Sequence, residues 1–509
     1  MHLHSDPNPR PAIRAEIETE APGRRGPGAR LALERRRPEL ILGAALLASL
    51  AITLLAFVLP ANLLKLYPVT DLDAHLLQDA GLVGYLRVIL AFLAEAVLYW
   101  AAFRAAGRTG SRLAWGLVMT GTLLSCATFL FMAPFDALDL YDNLFHGRIL
   151  GIYGQDPFLK FIANFPLDPF FQYPAWKAAL SAYGPLWELM AGLTARLAGN
   201  GVLANILAFK LLPGIFHLGS VGLTAVVLRR RAPGKALAGA LLLGWNPVVL
   251  YETWGNGHND MAMVFWVLLA VTCLEWGHFR LAVLSLVGGG LVKFVPLLLA
   301  PAILIAGWRS RGSRPAQLRF LLTSVLAAMA LTVAAYAPFW RGLATLSLAR
   351  RMQMFTTSIP SIAYHLLTPG VGEAAAARWV SLLALAALAG WTGLQTFRRR
   401  DNDPVKAFLE IAFNVLAFYL LATCLWFQQW YGLWLIGLAA LLPPHSRRTA
   451  LVIGFWVLSK QLVFGPLLVP PMSTQAGAAL WMEPLLTLAV LGPPWLLYLR
   501  IKQLESGPH

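Results

Sequence analysis

Apolar residues in this chain fall in long runs separated by short polar turns. Segments 39–59, 81–103, 113–134, 317–340 and 405–425 are nearly free of charge and each holds about 20 residues, the length a helix needs to cross ~30 Å of hydrocarbon at ~1.5 Å per residue. Lipid offers no hydrogen-bond partner to an open backbone, so runs of this kind must be helical. The pattern predicts an all-α, polytopic integral membrane protein.

Two runs depart from a simple crossing. Residues 184–198 are too short to span and are expected to lie in the interface or to dip in and return. The run 281–308 is interrupted by Gly288–Gly290 and Pro296, which predicts a hairpin of two short helices, 281–293 and 296–308. Further crossings are expected at 203–228, 236–251, 260–276, 376–397, 430–443, 448–468 and 479–499. The total is about 14, with both termini on one side.

Composition agrees: 58% of the 509 residues are hydrophobic and 13% charged, against about a quarter charged in soluble domains. The net charge of +16 changes the picture through its distribution. Arg35–Arg37, Arg104, Arg108, Arg112, Arg229–Arg231, Arg309, Arg311, Arg314, Arg398–Arg400, Arg447 and Arg448 stand in blocks between apolar runs. Cytoplasmic loops retain such residues, whereas a nucleic-acid reader gathers them on one face. Orientation follows: residues 1–37, rich in Pro, Gly, Arg and Glu, read as a disordered cytoplasmic tail. Residues 38–500 form the membrane domain, with an outer catalytic loop over 135–202 that carries interfacial helices, and 501–509 form a second cytoplasmic tail. The first apolar run is long enough to span, so it reads as a crossing and not a cleavable signal. Cys126, Cys273 and Cys424 lie within apolar runs, with no metal-like spacing and no disulfide expected.

This topology leaves 135–183, 252–259, 341–375 and 426–429 on the outer side. In 135–158, Asp136, Asp139, Asp142 and His146 are spaced by three, three and four, which puts them on one helical face. Clustered carboxylates raise each other's pKa and can poise one as a base; the same residues also suit a solvated helix start. Asn259 or Asp260 can cap the helix at 260–276. Lys293 can snorkel to the interface or meet a phosphate. The run Trp426–Trp434 can form an interfacial aromatic belt or stack on a ligand. Glu95 and Glu410, inside spans, call for a partner or a cavity.

Several of these segments resemble the outer loops of the membrane glycosyltransferases of the C superfamily, closest to the polyprenyl-phosphomannose-dependent mannosyltransferases of actinobacteria and related bacteria. The likeness rests on Asp139-x-Tyr141, Gly147-Arg148 and Gly154-x-Asp156-Pro157-Phe158, then on Tyr183-Gly184-Pro185-Leu186-Trp187 and Asn246-Pro247. It continues through Gly255-Asn256-Gly257-His258-Asn259-Asp260, Lys293-Phe294-x-Pro296 and Trp430-Tyr431-x-x-Trp434. His146 stands where the family usually has aspartate, and Asp156 where it has asparagine.

The resemblance implies an inverting transferase that moves a sugar, mannose by family, from a polyprenyl-phosphate donor to a glycan or glycolipid acceptor on the outer face of the plasma membrane. Asp139 aligns with the family's catalytic aspartate. Asp142, Tyr141, His146, Arg148, Tyr183, His258, Asn259, Asp260, Lys293, Arg350, Arg351, Gln429, Trp430 and Tyr431 are the expected substrate contacts. No cofactor and no metal are expected, a divalent ion on Asp139 and Asp142 staying open as an alternative. A flippase for lipid-linked sugars is the competing class, although it would place polar residues near the bilayer midplane.

Overall fold

The computed structural model describes residues 27–66, 81–134, 137–346, 354–398 and 401–442, with short stretches between 484 and 500. In chain order its helices are α1 (Pro27–Thr53), α2 (Gly81–Ala106), α3 (Arg112–Leu130), α4 (Asp139–Gly151), α5 (Pro185–Ala198), α6 (Val202–Arg231), α7 (Ala236–Gly244) and α8 (Asp260–Glu275). They continue with α9 (Phe279–Val292), α10 (Ala300–Arg309), α11 (Arg314–Tyr336), α12 (Ile359–Val371), α13 (Glu373–Arg398), α14 (Pro404–Phe418) and α15 (Gly432–Ala439). Among the described residues there are no β-strands, only isolated bridges. The chain is an all-α, multi-pass membrane protein.

Among the described residues, seven helical stretches are long and apolar enough to cross a membrane: Arg36–Val58, Leu86–Ala106, Arg112–Leu130, Val202–Arg231, Arg314–Phe339, Glu373–Arg398 and Pro404–Thr423. The expected count of about 14 is not reached among the described residues. Residues 448–468 lie outside them, 479–499 are described only in pieces, and several apolar runs are cut short. The run at 236–251 breaks at Trp245, where Asn246 accepts from the N–H groups of Val248 and Val249 and starts a new turn at Pro247. The run at 281–308 breaks at Lys293, which is extended (φ −150°, ψ 128°) between α9 and the 3₁₀ turn Val295–Leu299. Helix α5 has 14 residues, with Pro185 in its first turn and Gly199 (φ 66°) ending it; that is too short to span.

The helices pack as connected groups: α1 against α2 and α3, α6 against α7 and α8, α8 against α9, and α9 against α11. One apolar cluster runs through α6–α9, α14 and α15. A second, around Phe57, Phe92, Phe129, Tyr251 and Phe145, lies under α4. Glu95, buried within α2, accepts hydrogen bonds from Ser49 and Thr53 of α1, which supplies the partner a carboxylate in a span requires.

Helix α4 is seated on α5 by small residues. An added Cβ at Gly147 would stand 2.7 Å from the Ala191 carbonyl oxygen, and one at Gly151 would stand 2.0 Å from that of Gly192. Spacing of four puts both glycines on one face, and backbone contact there is what small-residue crossings allow. Gly147 of the Gly147-Arg148 pair therefore serves packing. Likewise Gly184 donates its N–H to the Val292 carbonyl (2.9 Å), with no room for a side chain beside Leu291. That contact ties the start of α5 to the end of α9.

Gly151→Ala is expected to lower stability by about 1–3 kcal/mol through overpacking, measured as thermal unfolding in detergent. Gly222→Ala, at a helical glycine with nothing within 4 Å, should be neutral or slightly stabilising.

Candidate active site

Helix α4 opens at Asp139, whose side chain is 21% exposed. The Asn143 amide folds back to the Asp139 carbonyl (2.7 Å), closing the first turn. A carboxylate at this end also meets the positive pole of the helix dipole. His258 lies 3.7 Å away, Nδ1 to Oδ2, and its Nε2 lies 3.4 Å from Glu252 Oε2. The imidazole is thus set between two carboxylates, with one face stacked on Trp430 at 3.8 Å. Glu252, fully buried, sits in the π-helical turn Tyr251–Gly255 and also accepts from the Asn256 amide (3.0 Å). Gly257 (φ 76°) turns the chain so that His258 can face back, its N–H donating to the Glu252 carbonyl.

The other half of the site is an ion pair. Lys293 Nζ donates to Asp260 Oδ1 at 2.7 Å, and the same oxygen accepts from Trp434 Nε1 at 2.6 Å. Three rings surround the ammonium: Tyr431 at 4.8 Å, Trp434 at 5.3 Å and Tyr183 at 5.7 Å. Lysine here is an ion-paired, ring-enclosed group, not one snorkelling to the interface. Tyr183 joins the halves. Burial raises its phenol pKa well above 10, and the charges of Asp139 and Asp260 push it further the same way.

Asn259 occupies the capping position of α8 but makes no capping bond. Its carboxamide, on a residue 1% exposed, has no hydrogen-bond partner at either end. Gln429 and Trp430 are buried, in the 3₁₀ turn Gln429–Tyr431. The aromatic run is therefore packed around the site's two ionic groups instead of forming a belt.

Asp142 is 8% exposed, one turn beyond Asp139. Burial pushes its carboxyl up to about 7, against the Trp176 N–H that donates to Oδ1 at 2.9 Å, while the charge of Asp139 adds to the rise. His146 lies one turn further on, 4% exposed. Tyr141, 1% exposed, belongs to the apolar cluster under α4 and stacks on Tyr173. Arg350 and Arg351 lie outside the described residues, as does Asp136. Among the described residues no group of three His, Cys, Asp or Glu side chains has the arrangement of a metal site.

Arg148 is buried and fully engaged. Its guanidinium donates to both oxygens of Asp168, to the Gly199 carbonyl and to Asn200, and it lies over the Phe170 ring at 4.3 Å. It braces the outer loop, and no bond in that set runs to Asp139 or Lys293. Glu252 was not singled out from the sequence. The only available signal was a carboxylate six residues before His258, in a stretch otherwise apolar.

A helical membrane protein of this build, with relatives that are glycosyltransferases, is of the membrane glycosyltransferase class. The chain belongs to the alpha-(1->6)-mannopyranosyltransferase family: the model of that family's N-terminal domain matches residues 41–309, which include Asp139, His258, Asp260 and Lys293. Alpha-(1->6)-mannopyranosyltransferase A of Mycobacterium tuberculosis is 26% identical over 377 residues, 68% of this chain and 69% of that protein. The protein of the same name from Corynebacterium glutamicum is 28% identical over 151 residues, 29% of this chain and 30% of that protein.

Two outcomes are expected. Arg148→Met leaves Asp168 buried and unpaired, which should cost about 3–5 kcal/mol; adding Asp168→Asn should recover part of it in thermal unfolding. Asp142 holds its proton to about pH 7 when folded but to about 3.8 when unfolded. Its contribution to stability is then fully present below pH 3.8 and is lost as pH rises through about 7. Unfolding temperatures at pH 5 and pH 8 should therefore differ less in Asp142→Asn than in the parent.

Proposed function

We propose that the protein transfers mannose, with inversion, from a polyprenyl-phosphate donor to a glycan or glycolipid acceptor on the outer face of the plasma membrane. The observation that carries this reading is Asp139: its carboxylate is left 21% open, whereas the neighbouring carboxyl groups of Asp142, Glu252 and Asp260 are buried. An acceptor hydroxyl meeting Asp139 gives up its proton there as its oxygen bonds to the sugar's anomeric carbon. The bond from that carbon to the phosphate oxygen breaks with its electron pair, and the charge departs with the phosphate.

General-base help of this kind is worth about 10²–10⁴-fold. His258, held by Glu252 and Trp430, keeps Asp139 turned toward the acceptor. The leaving phosphate is already a stable anion, so a cation and N–H donors suffice on that side. Lys293 retains two N–H bonds beyond the one to Asp260, and the unpartnered Asn259 amide adds another donor. Lys293 is ringed by Tyr183, Tyr431 and Trp434, against which the first prenyl units can lie. No metal is required by this scheme.

Placement on the outer face is supported by charge. Helices α3 and α6 carry Arg112 and Arg229–Arg231 at the ends opposite those that lead to the site, and such blocks stay cytoplasmic.

Asp139→Asn should cut turnover of polyprenyl-phosphomannose by about 10²–10⁴-fold, with donor binding within twofold of the parent. Membranes carrying the protein, given labelled donor and a mannoside acceptor, provide the assay. Undiminished turnover in the Asn variant would overturn the reading.

A further inference from the structure

The helix ends farthest from Asp139 enclose a cavity of their own. Helix α6 starts at Val202, just after α5, and runs 30 residues to Arg229–Arg231, a length of ~45 Å. A cavity of about 680 Å³ lies at that far end, between the ends of α2 and α6, helix α7, the start of α14 and the residues after α15. Its charged lining residues are Arg231, Lys235 and Lys406, with no carboxylate among them. Arg231 is bound to Glu275 and Asp403, and Lys406 to Asp401 at 2.9 Å. The side chain of Lys235 makes no ion pair or hydrogen bond among the described residues.

Inward the lining turns apolar. Phe103 and Leu228 lie about one turn inside the ends of α2 and α6. Leu242, fully buried, stands ~10 Å along α7 from Lys235 at ~1.5 Å per residue. The spans themselves end at Ala106 and Arg231, so the cationic rim is at headgroup level and the apolar part at the level of acyl chains. That gradient matches an amphiphile with a phosphate at its head. A free phosphate or a nucleotide would satisfy the rim and leave the interior unfilled. A zwitterionic lipid would bring an ammonium against cations with no carboxylate between them. Basic pockets between membrane helices are where anionic headgroups bind.

We infer that this cavity binds one anionic phospholipid of the leaflet opposite the site, its phosphate at Lys235 between Arg231 and Lys406 and an acyl chain along Phe103 and Leu242. In the orientation proposed above that is the cytoplasmic leaflet; the binding itself does not depend on the transferase reading. Helix α15 joins the two regions: it begins at the Gln429–Tyr431 turn, and Ala440–Leu442, just past its end, line the cavity. Bound lipid therefore braces the helix that carries Trp434 to Asp260.

The test uses the full-length protein, stripped of lipid in an uncharged maltoside detergent and titrated with dioleoyl phosphatidylglycerol, dioleoyl phosphatidylcholine, glycerol 3-phosphate or inorganic phosphate. Native mass spectrometry counts the bound lipid, and thermal unfolding follows its effect. The parent should carry one phosphatidylglycerol and show a saturable rise in unfolding temperature. Phosphatidylcholine should bind about tenfold more weakly, and the two anions without acyl chains should have no effect. Lys235→Gln should weaken phosphatidylglycerol about fivefold, the effect of one cation beside a lipid headgroup, and Lys406→Gln should act in the same direction. Both are exposed side chains, so the variants fold. Lys65→Gln, the same loss of charge beside the Asn62–Met132 bridge at the site end of the molecule, should match the parent. Equal binding of the two lipids, an equal response to inorganic phosphate, or an equal loss in Lys65→Gln overturns the inference, as does parent-like binding in both the Lys235 and the Lys406 variants.

Discussion

The bond between Lys293 and Asp260 is the constraint on which the site depends. An ammonium enclosed by aromatic rings at the head of a helical bundle is tolerable only when paired, because removing either partner leaves the other as an uncompensated charge. Asp260 Oδ1 is also the acceptor for Trp434 Nε1. One oxygen atom thus joins the first turn of α8, the break after α9 and the first turn of α15. The break itself is held by Gly184, whose N–H reaches the Val292 carbonyl and brings Tyr183 beside Lys293. With that junction fixed, Asn259, His258 and Glu252 are carried on the chain immediately before Asp260, and their distance from Asp139 follows.

The result is a site in two halves. Asp139, Asp142 and Glu252 gather on one side with His258 among them, while the Lys293–Asp260 ion pair stands on the other with Tyr183 between. In a low-dielectric setting charges act on one another far more strongly than in water, so such a division sorts ligands. The remaining N–H groups of Lys293 suit an oxyanion, and the open carboxylate of Asp139 suits a hydroxyl. A transfer from phosphate to hydroxyl needs both environments within one sugar's reach.

Much of this was legible in the residues because it depends on local sequence. The apolar runs gave the all-α, multi-span architecture; the length of 184–198 and Pro185 gave a short helix; Gly288–Gly290 and Pro296 gave a break beside Lys293. His258, Asp260, Lys293 and Trp430 were singled out and stand together. What could not be read are pairings made by the fold. Nothing in the spacing says that Arg148 will be taken by Asp168, twenty residues on, and a Gly-Arg pair near a carboxylate looks like an anion contact until that partner appears. Gly147 and Gly151 serve a helix crossing that exists only once α5 lies across α4. Glu252 follows an apolar run and resembles a helix-end carboxylate. Its burial beneath His258 depends on a wider turn that no composition rule announces.

That wider turn recurs. Helix α1 runs into the π-helical stretch Leu54–Val58, Tyr251–Gly255 precedes the His258 turn, and α14 runs into Tyr419–Thr423 before Trp426. Each closes with a bond five residues back, at 2.8 Å for Leu59, 2.8 Å for Asn256 and 2.7 Å for Cys424. A backbone leaving lipid for an aqueous site cannot leave its polar groups open, yet an α-helix continued regularly would place each next side chain 100° round. A π-turn keeps the bonds and shifts that phase, and such turns are frequent at functional sites. Two of the three touch directly, Phe57 against Tyr251 with ring centroids 5.4 Å apart. The phase shift in one of them is what lets Glu252 point at His258 while Tyr251, its neighbour, fills the apolar cluster under α4. The site's geometry is therefore set at the ends of the helices, where spanning gives way to loop, and not along the spans themselves.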